Sequence, residues 1–168
     1  MNNRTKRLTF IALSASVALV LSYIEALIPP IYAALPAVKV GLPNIVIIFV
    51  LYKFGLKDAI AVSVIRLLCV TLLFGNAVML VYSIAGAALS LSTMALLRYL
   101  DRFSTVGVSV CGGVMHNLGQ ILIAMLLLDT IAVGFYFPVL IITGSTAGIF
   151  VGLAGSLLLK KLKNNSLK

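Results

Sequence analysis

Six apolar runs divide this chain, at residues 8–28, 40–54, 58–75, 77–97, 107–128 and 133–159, and the breaks between them hold prolines, glycines and most of the charge. A helix needs about 20 apolar residues to cross the hydrocarbon of a bilayer, and such runs recur here along the whole sequence. With 62% of residues apolar and 10% charged, against about 45–50% and about 25% in a soluble domain, the chain cannot assemble a water-facing surface around them. The pattern predicts an all-α polytopic membrane protein with an N-tail at 1–7, one six-helix transmembrane domain at 8–159 and a basic C-tail at 160–168. What remains is too short for an extramembrane catalytic domain. The second run, VGLPNIVIIFVLYKF, is short and has Pro43 and Asn44 near its start, so a short, kinked or partly re-entrant helix is expected.

Thirteen Lys and Arg stand against four Asp and Glu, a net charge of +9. A nucleic-acid interface would gather its cations on one patch. Here they sit at the edges of apolar runs, so membrane lipid is the expected surrounding and nucleic acid is not an expected partner. Placing the N-terminus in the cytoplasm puts Arg4, Lys6, Arg7, Lys53, Lys57, Arg98, Arg102, Lys160, Lys161, Lys163 and Lys168 on the inner side. Lys39 then lies outside and Arg66 within a span. The positive-inside rule accordingly predicts a multi-pass protein of the cell membrane with both termini cytoplasmic. The opening MNNRTKR has the charge layout of a signal peptide, but the apolar stretch after it is too long for one, so an uncleaved first helix is expected.

Small residues recur every four positions on two helices, Ser14, Ala18 and Ser22 near the front and Gly144, Gly148, Gly152 and Ser156 near the end. Such seams let helix backbones approach closely in lipid. Each seam is expected to pack internally or, if it faces outward, to dock a partner membrane protein.

Ionisable groups at membrane depth cost about 2.5–3.5 kcal/mol each on insertion scales and therefore mark functional sites. Arg66 lies eight residues into the third run, about 12 Å from the inner edge at 1.5 Å per residue. His116 lies at a similar depth in CGGVMHNLGQ, where Gln120 follows it by one turn and Asn117 stands beside it. Glu25 and Asn44 fall in the outer half, below Lys39. These seven residues are the candidate ligand site, a cavity opening outward and ending at Arg66 and His116. The structural alternative is that Arg66 pairs with Glu25, or bonds Asn117 and free carbonyls, to hold helices together. The stretch at 29–39, PPIYAALPAVK, is either an outer lid or a plain connector.

Several chemistries are absent. The sequence has no Gly-x-x-x-x-Gly-Lys-[Ser/Thr] loop for nucleotide phosphates, no Asp-rich motif to hold Mg²⁺ against a diphosphate, no metal-ligand spacing and no Gly-x-Ser-x-Gly elbow. Neither catalysis nor a bound metal or cofactor is expected of this chain alone.

The stretches GLPNIVIIFVLYKFGLKDAIAVSVIRLL (41–68) and GGVMHNLGQ (112–120) resemble the Gx transporter family, also labelled heptaprenyl diphosphate synthase component I. That family is similar in size and six-helix layout to the substrate-binding S components of energy-coupling factor vitamin transporters. The resemblance implies a subunit that captures a small vitamin-like or flavin-like anionic solute and works with a membrane-bound ATPase module in trans. It also implies docking through the first helix at Ser14, Ala18 and Ser22, although the strict Ala-x-x-x-Ala form is missing. The synthase label implies instead a non-catalytic accessory subunit of prenyl or quinone metabolism, or of a membrane redox complex.

Overall fold

The computed structural model describes residues 2–27 and 41–165. Its regular structure is helical throughout: α1 (Asn3–Leu27), α2 (Asn44–Phe54), α3 (Leu56–Phe74), α4 (Ala77–Tyr99), α5 (Thr105–Leu127) and α6 (Phe137–Asn165), with a 3-10 turn at Ile131–Tyr136 leading into α6. Lys39 and the 29–39 stretch lie outside the described residues. The last apolar run was expected to be helical from 133, but the α-helix begins only at Phe137. Pro138 fits its first turn, where a missing N–H costs nothing.

α1, α4, α5 and the segment from the 3-10 turn through α6 are long and apolar enough to cross a membrane. The chain is a multi-pass membrane protein. α3 has 19 residues but carries Lys57, Asp58 and Arg66. α2 has 11 residues, about 16 Å of helix against a hydrocarbon core of about 30 Å. It is short, as Pro43 suggested.

α2 is also the centre of the core. Six consecutive residues, Val46 to Leu51, are buried, and a helix apolar on every side must be surrounded. Its β-branched Val46, Ile47, Ile48 and Val50 are modest helix formers, yet backbone groups away from water must bond within the segment, and that constraint overrides propensity. Gly55, at φ +102°, turns the chain sharply into α3 where a side chain would be strained. Asn76 and Ser104 cap α4 and α5, accepting from the N–H groups of Met79 (2.8 Å) and Gly107 (3.1 Å).

Two arginines fasten one end of the bundle. The Arg7 guanidinium donates to both oxygens of buried Asp58, with Nη2 2.6 Å from Oδ1, and ties α1 to α3. Arg98 of α4 donates to the carbonyls of Leu51 (2.5 Å) and Tyr52 (3.3 Å). Its guanidinium lies 5.4 Å from the Tyr52 ring centre. A cation there bonds carbonyls at the C-terminus of α2 and faces the negative end of its dipole.

Candidate functional site

All six helices contribute to one cavity of about 190 Å³. α3 brings Arg66 into it through a simple periodicity. Ala59, Val62, Arg66 and Val70 recur every three or four residues, and the first two are fully buried, whereas Ile60, Val64, Ile65 and Leu68 face outward. α5 presents Ser109, Gly113, His116 and Gln120 on one stripe, and α4 faces them with Met79, Ser83, Ser90 and Met94. Gly86 lies under the His116 ring: a Cβ there would sit 2.8 Å from Cε1. α1 supplies Ser22 and Glu25, and the segment entering α2 supplies Gly41, Pro43 and Asn44.

Arg66 is the unusual group. Its Nε is buried and has no hydrogen-bond partner among the described residues. Glu25 is close enough to act on it electrostatically, yet the one ion pair within 4.0 Å among the described residues is Arg7–Asp58. Glu25 instead accepts a hydrogen bond from the Gly41 N–H. Gly41 has φ +79°, and that bond holds the turn from which α2 starts. The Asn44, Ile45 and Val46 amides donate to the carbonyls of Gly41, Leu42 and Pro43 at 2.9–3.2 Å, so this irregular backbone is satisfied where it borders the cavity.

The site has an arginine, a carboxylate, an imidazole, two side-chain amides and several hydroxyls at its wall, with aliphatic and aromatic groups between them. That is the mixture of a solute pocket, in which a few polar groups orient a largely apolar contact surface. Among the described residues no three His, Cys, Asp or Glu converge on a metal position.

A family model described as heptaprenyl diphosphate synthase component I matches residues 14–158, and every cavity-lining residue falls within that match. The chain belongs to the heptaprenyl diphosphate synthase component I family. No curated protein and no solved structure matches it. The family's name is that of one component of a synthase.

Within this component I chain the structure gathers Glu25, Asn44, Arg66, His116 and Gln120 around one cavity. Asn117 is elsewhere. Its Nδ2 donates to the Leu140 carbonyl at 2.8 Å and ties α5 to α6, because a neighbour of His116 on a helix points about 100° away from it. Arg66 therefore bonds neither Glu25 nor Asn117.

The front seam takes the first of its two expected roles, internal packing, and not the docking role that the resemblance implies. Ser14, Ala18 and Ser22 are 6%, 0% and 8% exposed, so they pack inside the bundle and offer no docking face. Ser22 in fact lines the cavity. The rear seam packs internally on α5: a Cβ on Gly144, Gly148 or Gly152 would come within 2.9 Å of the Gly113 carbonyl oxygen, 2.5 Å of Val110 Cα and 2.7 Å of Val106 Cα respectively. Ser156 bonds back to the Leu153 carbonyl at 2.8 Å.

Sequence reasoning missed the hydroxyls and thioethers of the wall. Ser83 and Ser90 are seven residues apart, two helical turns, which places them on one face of α4. That spacing was the available signal.

Proposed function

We propose that this chain is the solute-binding membrane subunit of an ATP-driven importer, built like an S component, and that its ligand carries an acidic group that meets Arg66. The observation that carries this reading is the buried Arg66 Nε, without a partner among the described residues, on the wall of a cavity reached by all six helices. An arginine kept only for packing would be saturated by carbonyls or a carboxylate, because an unmet buried donor is costly. The sequence has no phosphate-binding loop, so ATP hydrolysis comes from a partner module in the same membrane. In this reading both termini are cytoplasmic and the cavity loads from the outer side.

The cavity's size supports a compact solute. A 150 Å³ apolar cavity takes up benzene, so about 190 Å³ suits on the order of ten non-hydrogen atoms. A fused three-ring flavin or a long prenyl chain would have to project from it.

Mass spectrometry of ligand carried through detergent purification tests the proposal. The wild type is expected to retain a small acid-bearing molecule that Arg66→Ala loses. An Arg66→Ala protein with unchanged affinity would overturn the assignment. The family's name supports a second reading, an accessory subunit to a separate prenyl synthase. That reading predicts co-purification with a soluble synthase and no saturable uptake in proteoliposomes containing an ATPase module.

A further inference from the structure

Glu25 and Arg66 are the two full charges on the cavity wall among the described residues, and they are of opposite sign. Opposite charges on neighbouring helices that face one cavity gain by closing into contact. These two do not close: no ion pair within 4.0 Å joins them, although Glu25 is near enough for its charge to act on Arg66. Among the described residues the Arg66 Nε is left without a partner. The hydrogen bond that the described residues give Glu25 is the one its Oε1 accepts from the Gly41 N–H, and a carboxylate has capacity for several more.

The charge balance restricts what can enter. Among the described residues, and with the His116 imidazole neutral, the wall's two charges cancel, so a monoanion would add an uncompensated negative charge to the cavity, and a cation the reverse. Burying a net charge is far more costly than burying a balanced set. A molecule that carries both signs adds none. We infer that the ligand is a small zwitterion whose acidic group meets Arg66 and whose ammonium or other charged donor meets Glu25, so that the molecule bridges two residues that do not bridge each other.

This rests on the importer reading and sharpens it from an acid-bearing solute to a dipolar one. The remaining wall agrees. Asn44, Gln120 and Ser83 offer neutral donors and acceptors, while Val70, Phe74 and Val151 offer apolar contact to a short side group. The volume of about 190 Å³ admits a body on the scale of an amino acid with a short apolar side chain.

The experiment compares matched triads on purified full-length protein in detergent by thermal-shift and calorimetric titration. One triad is leucine, 4-methylpentanoate and 3-methylbutylamine; the other is phenylalanine, 3-phenylpropanoate and 2-phenylethylamine. In the wild type at least one amino acid is expected to bind ten-fold or more tightly than both of its singly charged relatives. Glu25→Gln keeps an acceptor for the Gly41 N–H and removes the charge; it is expected to erase that preference and favour the carboxylate. Arg66→Gln is expected to favour the amine, and Arg66→Lys to restore part of the amino-acid affinity.

A carboxylate that binds wild type as tightly as its amino acid, or two triads with no amino-acid binding, overturns the zwitterion assignment. The importer reading fails separately. If carboxylate binding depends on Arg66, the acid-bearing site stands and only the zwitterion is lost. If no probe responds to Arg66 substitution and purified protein carries no Arg66-dependent ligand, both are lost.

Discussion

α5 meets α4 and α6 backbone to backbone through glycines, whereas the buried face of α1 toward α2 and α3 is made of alanines and serines. A Cβ on Gly113 would fall 2.4 Å from the Gly144 carbonyl oxygen, and one on Gly119 would fall 2.6 Å from that of Ala85. α5 is thus in near-contact with both of its neighbours, the arrangement that glycines permit where no hydrophobic effect drives helices together. α1 packs on α2 and α3 through Ala15, Ala18, Ala59 and Val62 and through the Arg7–Asp58 pair. Among the described residues Glu25 and Arg66, the carboxylate and the guanidinium of the cavity wall, lie in this first group. The two groups divide the labour. The glycine-packed group forms one wall with His116, Gln120 and several serines on it, and the first group brings Glu25 and Arg66 up to it.

The largest effect expected from this division is on folding. Gly113→Val places branched carbons where only a carbonyl oxygen now fits, and backbone cannot move aside as a side chain can. The cost should reach or pass the top of the roughly 1–3 kcal/mol typical of overpacking, read as loss of the monodisperse folded peak in detergent. Ala15→Leu adds the same three carbons at a buried α1 residue and should cost clearly less. Equal losses at the two positions would break the comparison.

Next in size is Arg66→Ala, where the two halves should differ in kind. A charged hydrogen bond is worth about 1.5–3 kcal/mol, so ligand affinity is expected to fall about ten- to hundred-fold in calorimetric titration. Ligand-free stability should hold or rise, because an unpartnered buried donor has been removed. A matching loss of stability would mean that Arg66 braces the fold. Arg98→Ala reverses this pattern. It withdraws donors from the Leu51 and Tyr52 carbonyls, costs about 1–2 kcal/mol of stability and leaves ligand affinity nearly intact.

Much of this division was legible from one rule, that a polar group inside an apolar run needs a reason. The rule picked out Glu25, Asn44, Arg66, His116 and Gln120, which the fold collects around one cavity. Pro43, with its missing N–H, marked the short α2. Orientation about the helix axis was not legible for the small residues. Ser14, Ala18 and Ser22 share a face, but a four-residue period is the same whether that face looks inward or outward. Ser83 and Ser90 escaped notice because a serine on a helix is just as often occupied by its own turn, as Ser16 is with the Ala12 carbonyl and Ser22 with that of Ala18.

Asn117 is the residue on which adjacency in sequence misled, and it gives the smallest and most discriminating effect. Its side chain joins α5 to α6 through the Leu140 carbonyl, inside the glycine-packed group and off the cavity wall. Removing it does not orphan that carbonyl, because the Thr143 hydroxyl also donates to it at 3.3 Å. Asn117→Ala should therefore cost near the average for an interhelical bond in a membrane, about 0.6 kcal/mol, a small shift in thermal unfolding. Ligand affinity should stay within about two-fold of wild type, since His116 and Gln120 line the cavity and Asn117 does not. A large affinity loss with stability preserved would move the binding surface from the cavity into the α5–α6 seam, and the glycine-packed wall would then have to be redrawn as part of the site itself.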